Sequence, residues 1–140
     1  IAASINKILT ELSLVDFTVS FSNTNNTNNG IDMWIHKSTN TNTSTITLHP
    51  KQLSGYESLI LNIVIKIQLN MYNERGMAEI FFIDEGLDVI DQYNMPKFIA
   101  LLTYMKQIYK NIFIITHMDD EHILAKIERV INVVDGRLVL

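Results

Sequence analysis

The 140-residue sequence contains no cysteine. That excludes a disulfide framework and any thiolate metal site, and it fits a reducing compartment. Glycine is scarce, with five residues, and proline scarcer, with two. None of the five glycines opens a G-x-x-x-x-G-K-[ST] run, so the chain carries no P-loop of its own. Excess positive charge is also missing. A net charge of −4 does not describe a chain that coats nucleic acid by itself, although DNA contact through a local patch stays open. Long hydrophobic runs are absent too. Leu59 to Leu69 is interrupted by Asn62, Lys66 and Gln68 and is too short to span a bilayer. No signal-peptide pattern precedes it. These absences point to an intracellular protein, in cytoplasm or nucleus, with no membrane partner. Ile1 in place of an initiator methionine reads as a fragment or a processed piece.

What is present suits one globular domain. Apolar residues make up 47% and charged residues 19% of a chain long enough to bury a core. Ile5, Ile8, Leu9 and Leu12 stand at helical spacing, which predicts an amphipathic helix over 1–12. Val15 to Phe21 alternates like a half-buried strand. Asn29-Gly30 is a turn signal before a second strand, Ile31 to His36, and a short strand over Ile46 to Leu48 follows. The polar tracts "SNTNNTNNG" and "KSTNTNTST" between them read as solvated loops. Such Asn-rich composition suggests an AT-rich coding sequence, as in large viruses or protists. Residues 13–50 are therefore expected to form a small antiparallel meander.

After Pro50 the pattern changes. Leu53, Leu59, Ile60, Ile63, Val64, Ile67 and Met71 form a wide apolar helical face. "AEIFFIDEG" and "NIFIITH" are nearly unbroken apolar runs, which read as buried strands of a mainly parallel sheet. A helix over Met95 to Lys110 lies between them, with Pro96 tolerated in its first turn. A short helix over Asp119 to Glu128 and a hairpin turning at Asp135-Gly136 close the chain. The expected architecture is α/β, a small antiparallel meander plus a mainly parallel sheet flanked by helices.

In such sheets ligands sit beyond the carboxyl ends of the strands. Asp84 and Glu85 end the first apolar run, and Thr116 and His117 end the second. Burying a carboxylate is costly unless it is paired or holds a metal. Mg²⁺ held by one or two carboxylates together with phosphate oxygens is a common resolution. A neighbouring glutamate can then orient or deprotonate water. A donor at His117 suits contact with a phosphoryl group. A metal cluster of His117 and His122 with Asp119, Asp120 and Glu121 is disfavoured, because i, i+5 spacing does not put both imidazoles on one helix face. His36 and His49 read as structural or exposed. Ser54 and Glu57 form a capping box at the start of the long helix. A helix N-terminus with a small serine and a glycine is also an anion site, so capping and phosphate binding are compatible there.

"LSGYE", then "IFFIDEGLDVID", then "IFIITH" stand in one order and spacing. Together they resemble the C-terminal lobe of an ABC-type ATPase head, most closely the SMC and SbcC group of chromosome and DNA-repair ATPases. Leu53 to Glu57 is similar to the ABC signature, Asp84-Glu85 to Walker B, Asp91 to the D-loop aspartate and His117 to the switch histidine. "DEG", in place of the "DEP" of transporters, resembles SbcC and related viral and phage proteins. The helix over 1–12 resembles the end of a coiled coil re-entering a head. The resemblance implies the C-terminal half of a P-loop NTPase head spanning 1–140, with ATP and Mg²⁺ as cofactors. It implies that Ser54 and Gly55 face the γ-phosphate held by an opposite head, Asp84 supports Mg²⁺, and Glu85 activates water. His117 would contact the γ-phosphate, and Asp91 would couple the two sites. The implied partners are the N-terminal lobe of the same head, a second head, DNA and a nuclease. The family carries glycine where this chain has Tyr56, whose side chain would either crowd the partner's nucleotide or point aside. Without its P-loop lobe the chain is expected not to hydrolyse ATP and to expose apolar sheet surface. A degenerate lobe that serves only as a structural or interaction module is the alternative.

Overall fold

A computed structural model describes residues 1–23, 30–38, 45–74, 76–84, 86–117, 125, 127–135 and 137–139. The first helix, α1, spans Ala2–Glu11 and buries Ile5, Ile8 and Leu9. Its end is closed by Ser13 N–H donating to the Thr10 carbonyl at 3.0 Å and Leu14 N–H to the Leu9 carbonyl at 2.9 Å. Ser13 takes a left-handed φ of 49° in making that reversal. The chain then enters an antiparallel three-stranded meander of β1 (Phe17–Asn23), β2 (Ile31–Ser38) and β3 (Thr45–Leu48), ordered β1-β2-β3. Val19 pairs with Ile35, and Ile35 with Leu48, which fixes the register of the buried face. β1 begins two residues later than the alternation predicts, because Ser13 to Asp16 are spent on the reversal after α1. The loops over 24–29 and 39–44 lie outside the described residues.

The outer edge of β1 is closed by a side chain. Asn6 of α1 donates from Nδ2 to the Val19 carbonyl at 2.9 Å and accepts the Val19 N–H on Oδ1 at 2.7 Å. Its amide thus replaces a neighbouring strand at that position.

Helix α2 (Gly55–Met71) carries the widest buried face: Tyr56, Ile60, Leu61, Ile63, Val64 and Ile67. It leads to β4 (Ile80–Asp84), a short 3-10 turn over Leu87–Val89, α3 (Met95–Met105) and β5 (Asn111–Ile115). β4 and β5 pair in parallel, with Asp84 opposite Ile115. The expected helix to Lys110 stops at Met105. Residues 106–108 turn instead, Tyr109 is buried, and Lys110 and Asn111 both donate to the Glu79 carbonyl to start the parallel pair. Helical spacing alone does not register that stop. β6 (Asn132–Val134) and β7 (Arg137–Val139) form the closing hairpin. Most of the expected helix over 119–128, and Gly136, lie outside the described residues.

One core joins α1, the meander, α2, β4 and α3, from Ile5 and Phe17 through Ile60 and Ile83 to Phe98 and Met105. The parallel pair buries one face only. Phe81 and Ile83 point inward, while Ile80, Phe82, Phe113 and Ile115 are 47%, 58%, 45% and 51% exposed. Phe82 and Phe113 stack on that open face with ring centroids 5.1 Å apart. An apolar run suited to burial on both faces is thus covered on one. No helix among the described residues is long and apolar enough to cross a membrane.

Candidate functional site

The site is built around the first turn of α2. Ser54 is its N-cap, in extended conformation. The Ser54 hydroxyl accepts the Glu57 N–H at 3.3 Å, and the Ser54 N–H donates to Glu57 Oε2 at 2.9 Å. The hydroxyl also donates to the same oxygen at 3.0 Å. The predicted capping box is therefore present in both directions, and such a cap stabilises a helix by roughly 1 kcal/mol. Lys37 of β2 forms an ion pair with Glu57 from the meander side. Burial pushes the Glu57 carboxyl up, but hydrogen bonds from Lys37 and Ser54 outweigh it and hold the group below its ordinary value. The ammonium also offsets the charge that Glu57 would otherwise present beside an anion.

Tyr56 does not point at the exposed surface of this turn. It is 6% exposed, and its hydroxyl donates to the Leu14 carbonyl at 3.3 Å. Burial, followed by the nearby Asp91 carboxylate, pushes its phenol up to about 12. Of the two orientations the sequence leaves open, the side chain takes the one pointing aside. Ser54 and Gly55 remain exposed in front of it.

The turn after β4 packs directly against this helix start. A Cβ on Gly55 would lie 2.8 Å from Val89 Cγ1 and 3.0 Å from Val89 Cβ. Glycine at 55 is thus required for close approach, quite apart from any ligand. Gly86 sits in the left-handed region at φ 81° and opens the 3-10 turn. Proline, held near φ −65°, cannot occupy that position. Asp91 accepts the Asn94 N–H on Oδ1 at 2.8 Å and its carbonyl accepts from Met95, so it shapes the turn into α3.

Asp84 is the last residue of β4 and His117 lies two residues past the end of β5; both are exposed, so Asp84 is not a buried carboxylate. Parallel pairing with Asp84 opposite Ile115 brings them to one rim. Asp84 also borders a groove of about 470 Å³ along α2, with Leu59, Asn62, Lys66 and Phe82. An exposed carboxylate at a strand end, beside a groove, fits a Mg²⁺ ligand that shares the ion with phosphate oxygens. Among the described residues no group of three or more His, Asp or Glu is placed to hold a metal alone. Glu85, His122 and the acidic residues 119–121 lie outside the described residues. His36 and His49 are structural: His36 joins Ser20 to Thr47, and His49 caps the turn over Pro50–Gln52.

Lys37, Val89 and Leu14 are the participants that sequence reasoning missed. Lys37 is twenty residues from Glu57, and no local pattern links them. Val89 stood within the quoted "GLDVID" run, but only its contact with Gly55 gives it a role.

Two solved structures share this fold. An SMC ATPase, described for ATP-driven dimerization and DNA-stimulated activation, matches with a TM-score of 0.69 at 15% identity, covering 99% of this chain and 80% of that one. The chain has the fold of an SMC ATPase head. The SMC head domain from Thermotoga maritima matches with a TM-score of 0.59 at 17% identity, covering 98% of this chain and 44% of that one. At such identities the likeness concerns the fold. No protein-family profile matches the chain. An uncharacterized protein of Acanthamoeba polyphaga mimivirus is 28% identical over 67 residues, 48% of this chain. That stretch spans only 5% of the relative's length.

Proposed function

We propose that this chain is the C-terminal half of an ATP-hydrolysing SMC- or SbcC-like head. The observation that carries the reading is the packing of the Ser54–Gly55 helix start on the turn that follows β4, within an SMC-head fold. Signature, magnesium-site aspartate, D-loop and switch histidine then occur in order on adjoining elements. In this reading Asp84 holds Mg²⁺, Glu85 activates water, and His117 contacts the γ-phosphate. Ser54 and Gly55 present hydroxyl and backbone to the γ-phosphate held by an opposite head, and Asp91 links the two sites. Bound Mg²⁺ supplies charge stabilisation on the phosphoryl oxygens. The residues of this chain supply position and proton acceptance.

The open face of β4 and β5 supports a further half that carries the P-loop. A stacked Phe82–Phe113 pair with Ile80 and Ile115 around it is a surface that a complete head would cover. Engagement of two heads on ATP, action on DNA ends or DNA tethering, a nuclease partner and an intracellular setting extend the same reading. The nuclease rests on the sequence resemblance alone. A purely structural lobe is the second reading, favoured by the missing P-loop. The inward packing of Tyr56 removes the crowding argument for it.

Glu85→Gln in the full-length protein tests the assignment. It should abolish ATP turnover while ATP-dependent association of heads persists. Turnover at the parental rate would remove Glu85 from the mechanism. Ser54→Arg should block that association without loss of fold, and normal ATP-dependent dimerisation of this variant would count against the signature reading.

A further inference from the structure

The end of α1 and the start of α2 meet at one buried hydrogen bond between residues 42 positions apart, from the Tyr56 hydroxyl to the Leu14 carbonyl. Each side of that bond is firmly fixed. Leu14 is 0% exposed, and it follows Ser13, a non-glycine residue in the left-handed region. Such a conformation persists only where its surroundings over-determine it. The bonds from Ser13 and Leu14 back to Thr10 and Leu9 make that reversal part of α1 itself. On the other side, Tyr56 belongs to the same helical turn as Ser54 and Gly55, and that turn is held by the capping box and by Val89.

The far ends of the two helices are joined differently. Ser4, near the start of α1, bonds the Tyr72 hydroxyl just past the end of α2, at 3.1 Å and in solvent. Antiparallel α1 and α2 are therefore tied by a tyrosine at each end, but only the Tyr56 end is buried. A hydrogen bond shielded from water is electrostatically stronger than one in solvent. The Tyr56 contact, at 3.3 Å, is no shorter than the one at Tyr72, but it is shielded from water, where the Tyr72 contact competes with solvent.

We propose that the Tyr56–Leu14 bond is a latch through which the position of α1 sets the orientation of the Ser54–Gly55 backbone. Tyr56 is a positioning residue, acting through its own helical turn. The coupling itself requires no nucleotide. Only its consequence for phosphate contact rests on the function proposed above.

Hydrogen–deuterium exchange of the full-length protein without nucleotide tests it, read on peptides covering 13–16 and 54–58, with 111–115 as a fold control. Tyr56→Phe keeps the ring and removes the donor. Exchange should rise roughly three- to ten-fold at both segments, the range expected for losing one net hydrogen bond, with the control unchanged. Ser13→Gly relieves the left-handed strain at the end of α1. It should slow exchange at 13–16 and, through the latch, at 54–58. In the Ser13→Gly/Tyr56→Phe double variant the slowing should stay at 13–16. The proposal is overturned if Tyr56→Phe leaves either segment unchanged. It is equally overturned if the Ser13→Gly effect still reaches 54–58 in the phenylalanine background. These outcomes are independent of ATP turnover, so the latch and the ATPase assignment fail separately.

Discussion

Tyr56→Gly would make this stretch match the ABC signature it resembles, and the structure predicts that it damages the protein. The side chain is 6% exposed and belongs to the same core as Ile5, Leu9, Leu14 and Ile60. Removing a buried aromatic ring costs about 3–5 kcal/mol, from lost burial and the cavity left behind. The hydroxyl also satisfies the Leu14 carbonyl, and losing one such bond costs about 0.5–1.5 kcal/mol. The terms overlap, so about 4 kcal/mol is the expected loss. That is a large share of the roughly 5–15 kcal/mol by which domains are stable. Urea unfolding followed by circular dichroism measures it, as a fall in midpoint at constant slope. Tyr56→Phe separates the terms and should lose only the smaller one. If Tyr56→Gly unfolds within 1 kcal/mol of the parent, the ring is not part of the core and the reasoning fails. The pH dependence gives an independent check. With its folded value pushed up to about 12, above the ordinary value near 10, the phenol favours folding below pH 10. That contribution is lost as pH rises from about 10 towards 12, and the loss should be absent in Tyr56→Phe.

The Glu57 carboxyl is held below its ordinary value, so its contribution to stability is present above the unfolded carboxylate pKa and disappears as pH falls through the lower folded one. Lys37→Met should therefore lose stability near neutrality and converge with the parent in acid; an equal difference at every pH would disconnect Lys37 from Glu57. Gly55→Ala forces a Cβ to within 3 Å of Val89 and should cost about 1–3 kcal/mol, the range for overpacking. Val89→Ala should recover most of that loss in the double variant, and simple additivity in thermal melts would deny the contact. Gly86→Ala meets only ordinary contact with Leu59 but must hold φ 81°, so about 1–2 kcal/mol should be lost in the same melts. An unchanged melting temperature would mean that the turn takes another conformation.

Local patterns carried much of the fold. Three-residue spacing of Ser54 and Glu57 placed the start of α2, and alternation with the Asn-Gly turn placed the meander. "IFFID" and "IFIIT" placed the parallel pair, because runs of that kind suit a sheet flanked by helices. What stayed hidden depends on distant partners. The direction of Tyr56 is decided by Leu14, 42 residues away. Glu57 is tuned by Lys37 on another strand. Gly55 reads as a phosphate-binding glycine, yet its first constraint is Val89. The stop of α3 at Met105 is set by the need to bring Lys110 and Asn111 onto Glu79, which helical periodicity does not record. An unbroken apolar strand also carries no sign of which face lacks a partner.

The amide of Asn6 gives the meander a boundary. A strand edge that offers bare N–H and C=O groups can template another chain. At Val19 those groups are already taken, so β1 cannot recruit a stray strand there. The opposite edge is β3, only four residues long, which leaves little backbone to extend. Strand addition at the meander is thus blocked at Val19. Asn70 of α2 makes the same pair of bonds just ahead of β4, donating from Nδ2 to the Ala78 carbonyl at 3.2 Å and accepting the Ala78 N–H on Oδ1 at 2.7 Å. A single asparagine on the first helix does for one position of the β1 edge what a further strand would do.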